Sequence, residues 1–461
     1  MGEYMFIRKK IAVLALLAVA AAAFGCSDST FDVPNPNGPE LGNLQNNPTA
    51  PAVIDATQGL LVGARAGISA QAGYIAHLGI LGRESYTLDN SDPRFVDQMV
   101  GGDLNPGDGA FGGSGWAVRY ANIRLGNIVL NALDNPGLTG FSNAQKEGIR
   151  GFVKTMQALD YLLIINLRDV NGAVVDVNVG VGEAPGPIVG KQAVFERIVV
   201  LLDEAQGHLS AGGASFPFRL SEGFQGFTTP ASFLRFNRAL RARVAVYRQD
   251  YPRALAALDN SFLSASAPLD LGVYYTFGTG GGDVTNGITA SPNIFAHPSI
   301  RTSAESQPGG AIDARVAAKT AILPTPLSRQ GITTNVAQRV YVDLTTPIPI
   351  IRNEELILLR AEARWFTGNR DGALADLNLI RQRSAGLAPI GMPANDAAFV
   401  TALLRERQFS LFLEGHRWID FRRFGRLNQL PLARATDQVP SAFPIPRNEC
   451  LARNLTVPCS V

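Results

Sequence analysis

ARVAVYRQDYPRALAALD at residues 242–259 and AEARWFTGNRDGALADLN at 361–378 align without a gap, and this pairing decides the fold. Identical positions are Ala242 with Ala361, Ala254 with Ala373, Leu255 with Leu374, Ala256 with Ala375 and Leu258 with Leu377. Tyr247 stands opposite Phe366, and a polar turn divides each unit, Gln249-Asp250 in one and Gly368-Asn369 in the other. Small alanines at a helix crossing, an aromatic before the turn and Ala-Leu after it are the spacing of a tetratricopeptide-like helix pair. Such a unit cannot cover its apolar face alone and must stack. The expectation is a mainly α chain, a scaffold of helix pairs interrupted by long, loop-rich insertions.

Working outward, helical patterning begins near Ala52, continues past Ile68 and breaks at Gly82. Arg83 to Gly115, dense in Asp, Gly, Asn and Pro, reads as a long loop. Trp116, Tyr120 and Ile123 share one face of a second helical run, a third covers Ala144 to Leu167, and Lys191 to Leu209 turns Val194, Ile198, Leu201, Leu202 and Ala205 inward. Between the two clear repeats lies an insertion over 264–349, rich in Gly, Thr, Ser and Pro. Within it Tyr274, Tyr275 and Phe277 precede Gly278-Thr279-Gly280-Gly281-Gly282. Loops of this size on a rigid scaffold are where function is usually mounted.

At the N-terminus Arg8, Lys9 and Lys10 precede an apolar run from Ile11 to Phe24, too short to span a bilayer and read as a signal peptide over 1–25, with Met5 an alternative start. Ala23-Phe24-Gly25-Cys26 then places Cys26 where a lipoprotein signal peptidase would expose it for acylation. Residues 26–51, rich in Asn, Pro and Gly, read as an extended tether between lipid and body, leaving 52–461 as one helical domain. Export puts Cys450 and Cys459 in an oxidising compartment, and a disulfide between them is expected.

The chain has 461 residues, 46% of them hydrophobic, and a formal charge of +2, enough for a large core and no bulk signal for nucleic acid. Enzyme motifs are not apparent. His77, His208, His297 and His416 have no metal-ligand spacing, and no cofactor motif is present. Gly186 to Lys191 lacks the first glycine of a phosphate loop and has Gln192 in place of its Ser/Thr. Gly112-Gly113-Ser114-Gly115-Trp116 ends in a residue too large for a nucleophile elbow. Glu84, Asp89, Asp92, Asp97 and Asp103 cluster in the first long loop and read as a solvated acidic segment.

Three segments carry a family resemblance. Glu354-Glu355-Leu356-Ile357-Leu358-Leu359-Arg360-Ala361-Glu362-Ala363 resembles the repeat helix of the SusD/RagB group of outer-membrane nutrient-binding lipoproteins. Leu404-Arg405-Glu406-Arg407 with Glu414-Gly415-His416-Arg417-Trp418-Ile419-Asp420-Phe421-Arg422-Arg423 is similar to that family's signature, and Phe443-Pro444-Ile445-Pro446 to its closing segment. Phe31 to Asn37 looks like its tether. The chain departs from it at Arg168-Asp169-Val170-Asn171 and in the cysteine-bearing tail.

The resemblance implies a SusD-like fold and a non-enzymatic protein at the outer face of an outer membrane. That protein captures an oligosaccharide or peptide and passes it to a SusC-like TonB-dependent transporter. In the signature, Arg405, Glu414, Arg417, Asp420 and Arg422 are spaced for ion pairs, and Trp418 to fill a seam between helices. A sugar site needs aromatic platforms beside hydrogen-bonding groups. The expected ligand residues are therefore Arg83, Tyr86 and Phe95 in the first loop and Tyr274, Tyr275 and Phe277 in the insertion, aided by Asp283 or Asn286. The competing readings are an envelope scaffold and a lipid-anchored glycoside hydrolase.

Overall fold

The computed structural model describes residues 41–180, 183 and 186–460. Cys26, the signal peptide and the tether up to residue 40 lie outside the described residues. The chain enters through α1 (Leu41–Asn46) and α2 (Ala50–Arg65). The described part of the expected tether, residues 41–51, is therefore not extended: Leu44 and Pro48 are buried against the body, and Thr49 caps α2 through the Ala52 amide.

Next come α3 (Tyr74–Leu81), strand β1 (Ser85–Thr87), a π-helical turn at Phe95–Val100, and the long helices α4 (Ala117–Leu133) and α5 (Asn143–Arg168). Ser142 and Gln145 form a reciprocal capping box that starts α5. A two-stranded ribbon, β2 (Ala173–Val174) with β3 (Ile188–Val189), leads to α6 (Lys191–Ser210), α7 (Pro230–Tyr247) and α8 (Tyr251–Asp259). Successive helices pack side by side from α4 to α8. No helix among the described residues is long and apolar enough to cross a membrane.

The second repeat is α12 (Asn353–Phe366) and α13 (Arg370–Arg383), and α8 packs on α12 although the insertion separates them in sequence. The two units agree in detail. Gln249 and Gly368 occupy the same left-handed turn position, at φ 59° and 89°. The next residues, Asp250 and Asn369, cap α8 and α13 with their side chains, and their amides bond back to Ala245 and Arg364. Ala242 and Ala361 are fully buried at the crossings, as are Ala254 and Ala373, so close helix approach explains the alanines. Tyr251 stacks on Phe366 at 4.9 Å and ties one unit to the other. α14 (Asp396–Ser410) closes the stack, with Phe399 against Trp365 at 4.2 Å.

The insertion is more ordered than a loop-rich reading implies. It holds strand β4 (Gly272–Tyr275), short helices α9 (Gly287–Ala290), α10 (Ser299–Thr302) and α11 (Ala314–Lys319), strand β5 (Ile294–Ala296), the hairpin β6 (Thr320–Arg329) and β7 (Ile332–Gln338), and β8 (Ile348–Arg352). β4 and β8 pair antiparallel with a bulge between Val273 and Tyr274. A four-stranded sheet has the order β1-β5-β7-β6, so the first long loop and the insertion are hydrogen-bonded to each other, Tyr86 opposite Phe295.

The signature segments, ending in α15 (Arg417–Arg423), are an ion-pair lattice between repeats and insertion. Arg407 meets Asp420 at 2.6 Å, and Arg423 meets Asp420 at 2.9 Å and also bonds Glu362. Arg315 and Arg381 converge on Glu406 at 2.8 and 2.6 Å, while Arg405 binds Glu305 at 2.8 Å and Arg422 lies 3.4 Å from Asp169. Arg352, the last residue of β8, bonds Glu354 and reaches Glu414 at 2.8 Å. Arg417 departs from the ion-pair expectation, donating to the Arg83 carbonyl at 2.8 Å. Trp418 is fully buried with its indole N–H on the Pro440 carbonyl at 2.9 Å. Burying so many charges is costly unless each is paired and hydrogen-bonded, and several of these pairs, Arg315 with Glu406, Arg405 with Glu305 and Arg423 with Glu362, join segments far apart in sequence.

In the tail, Cys450 and Cys459 are joined by a disulfide, with their Cα atoms 5.8 Å apart, and it closes on α16 (Arg447–Ala452).

Candidate functional site

A cleft of about 680 Å³ opens between the C-terminal half of α2, the turn Arg219–Phe224, and β4 with the residues that follow it. Alternation along β4 puts Val273 and Tyr275 inward and leaves Tyr274 half-buried. Tyr275 and Phe277 line the cleft with only 7% of each side chain's residue exposed, so they form its base with Met156, Phe224 and Ile350. The Tyr274 hydroxyl donates to the Asp270 carbonyl, which fixes its ring at the mouth. Gln58, Arg65, Arg219, Glu222 and Asp283 supply the polar groups of the rim.

The geometry depends on one close backbone approach. A Cβ at Gly223 would stand 2.0 Å from the Tyr274 carbonyl oxygen, so only glycine lets the turn at Glu222–Phe224 lie on β4. Phe224 then stacks on Phe233 of α7, 5.9 Å between centroids. On the other wall, Arg65 donates to the Thr276 carbonyl at 3.0 Å and pairs with Asp283 at 2.6 Å.

The Val284 amide and then Arg65 hold the Asp283 carboxyl below the usual aspartate range, while burial pushes the Tyr274 hydroxyl up to about 12 and Tyr275 higher still. All three shifts lead away from neutrality, so none of these three groups is poised as a proton donor or acceptor near pH 7.

Of the expected ligand residues, Tyr274, Tyr275 and Phe277 are brought together in the cleft, with Asp283 at its edge. The first-loop set is elsewhere and withdrawn from solvent: Arg83, Tyr86 and Phe95 are 0%, 3% and 2% exposed. Arg83 spends its guanidinium on the carbonyls of Ile80, Val100 and Gln438. Tyr86 packs on His297, and Phe95 sits edge-on to Phe111. These three fasten the first segment to the core, a correction to their reading as a sugar platform. Asn286 is also spent, since it caps α9 and donates to the Thr346 carbonyl at 2.8 Å. Of the acids of the first segment, Asp92 is bridged to Asp108 by Arg94, Asp89 accepts from Gln71 and Ser91, and Glu84 is buried rather than solvated, accepting from the Leu413 amide. Among the described residues, no group of three or more His, Cys, Asp or Glu is placed to hold a metal ion.

Arg65, Arg219, Glu222 and Phe224 were not legible as site residues. Arg65 reads as an ordinary basic residue ending a helix, and the only local cue at 219–224 is a glycine between an acid and an aromatic.

Comparison with known proteins agrees with this architecture. Residues 326–449 match the model of the SusD family. No curated protein matches the chain. Among solved structures, a SusD-like carbohydrate-binding protein from Bacteroides fragilis superposes with a TM-score of 0.70 at 15% identity, covering 90% of this chain and 100% of that one. Surface glycan-binding protein A from Bacteroides thetaiotaomicron, in complex with laminarihexaose, gives 0.65 at 15% identity over 88% and 98% of the two chains. A laminarin-binding SusD-like protein gives 0.58 at 18% identity, again over 88% and 98%. The C-terminal repeat and signature thus match the SusD family model, and the chain shares the fold of SusD-like proteins along the rest of the body.

Proposed function

We propose that this chain is a cell-surface carbohydrate-binding lipoprotein that takes up a glycan in the cleft beside β4 and delivers it to a SusC-like TonB-dependent transporter. The observation that carries the reading is the cleft itself: a half-buried tyrosine ring at its mouth, an apolar aromatic base, and guanidinium, carboxylate and amide groups around the rim. Sugar rings offer flat apolar faces edged with hydroxyls, and such a surface can meet both. Relatives of the same fold described as binding laminarin or laminarihexaose support the ligand class. The lipid anchor at Cys26 rests on the signal-peptide reading of the N-terminus, and the transporter partner and the outward orientation rest on the family resemblance.

Calorimetry on the soluble chain beginning at Ser27, against laminarihexaose, α-glucans, hemicellulose fragments and peptides, tests the reading. Saturable binding of a glycan without released product is expected. Tyr274→Ala should weaken it about tenfold, roughly 1.4 kcal/mol. Turnover of the bound glycan, or binding of peptides alone, would overturn the assignment. Metabolic labelling with a radioactive fatty acid, abolished by Cys26→Ser, checks the anchor, and recovery of a TonB-dependent transporter with the lipidated chain checks the partner.

A further inference from the structure

The segment from Gly278 to Val284 closes on itself. Gly278 donates its amide to the Val284 carbonyl at 3.0 Å, and Asp283 to the Gly280 carbonyl at 3.1 Å. Between these bonds the loop has little grip on the body: a Cβ at Gly280, Gly281 or Gly282 would meet nothing within 4 Å, and Thr279 and Val284 are exposed. Among the described residues, one side-chain link ties it down, Asp283 to Arg65 at 2.6 Å. The same Arg65 nitrogen holds the Thr276 carbonyl at 3.0 Å, so a single guanidinium at the end of α2 governs both the exit of the aromatic strand and the loop beyond it.

We infer that Gly278–Val284 is a flap over the cleft and that Arg65 is its positioning residue, latching it closed through Asp283. The hinge is covalently simple, since four of the five residues from Gly278 to Gly282 are glycine and glycine gains most from release. A partly exposed ion pair biases the closed state only roughly two- to fivefold, so the flap opens often and a ligand enters without a large barrier. Once Asp283 leaves, Arg65 can offer its planar donors to the hydroxyl or carboxylate oxygens of the incoming sugar. This role in ligand entry rests on the carbohydrate-binding reading; the latch itself does not.

Hydrogen–deuterium exchange on the ligand-free soluble chain tests the latch. After correction for intrinsic rates, amides 279–283 should exchange roughly two- to fivefold faster in Asp283→Asn, and Asp283→Glu should restore wild-type protection. High sodium chloride should speed exchange of these amides in the wild type and leave Asp283→Asn unchanged, a response that a merely structural role for Asp283 would not produce. Laminarihexaose is the probe for the second arm, in which Asp283→Asn should release it faster by a similar factor. Equal exchange and equal salt response in wild type and variant would overturn the latch whatever the glycan does. Failure of the wild type to bind laminarihexaose would count against the ligand reading, while the exchange arm still decides the latch.

Discussion

Glu84 is enclosed by the signature: the Leu413 amide donates to its carboxyl at 3.3 Å, and Arg417 holds the carbonyl of Arg83 beside it. Burial pushes the Glu84 carboxyl up to about 8, with Arg417 pulling the other way. In the unfolded chain the same group loses its proton near its ordinary value of 4.5. Folding therefore takes up a proton between those limits, and the stability contributed by neutral Glu84 is complete below the lower value and is lost as pH rises through the upper one. Glu84→Gln should flatten this loss, gaining on the order of a few kcal/mol over wild type on going from pH 5 to pH 8, as read by urea unfolding. At Tyr274 the expected effect is the reverse in kind: Tyr274→Ala should cost glycan affinity with little change in stability, because its ring is only half-buried. Equal loss of both would make Tyr274 a packing residue.

Elements carry the next level of argument, because the two repeats place different residues at one left-handed turn position, Gln249 and Gly368. A side chain there costs about 1–2 kcal/mol, so Gly368→Ala should lose about that much and Gln249→Gly should gain about 0.5–1 kcal/mol, both measurable by denaturant titration. The ribbon that bears the cleft tyrosines is held by Arg352, where β8 runs into α12. Burial pushes the Glu354 carboxyl up, but Arg352 and Lys319 bring it down to about 2. Arg352→Ala would strand two buried carboxylates, Glu354 and Glu414, and should cost about 3–5 kcal/mol. Since β8 pairs with β4, glycan affinity should fall as well, which calorimetry at a temperature where the variant remains folded would show.

For the whole molecule, one apolar core runs from Leu44 to Cys459, and a smaller one lies among α12, α13 and α14. The disulfide spans only nine residues of sequence, so its loss should remove about 2–3 kcal/mol by chain entropy and act locally. The Cys450→Ser, Cys459→Ser double variant should lose exchange protection over α16 while the repeats retain theirs. A cooperative loss across the repeats would instead assign the tail a role in the global fold.

The sequence by itself determined the helix pairs, their turns and the likeness to SusD-like proteins, because helical period, turn chemistry and small residues at crossings are local properties that survive without tertiary context. The matching burial of Ala254-Leu255 and Ala373-Leu374 is that local code expressed twice. Tertiary structure decided which aromatics line a cleft. Tyr86 and Tyr274 both stand in segments that read as loops, yet β1 is covered by β5 and its neighbours while β4 lies at the cleft mouth. It also decided the site's other half, since α2, the turn at 219–224 and β4 lie far apart along the chain and meet only through the packing of the helices between them. Whether a tyrosine is core or platform depends on what covers it, and that cover comes from segments whose proximity no local pattern encodes.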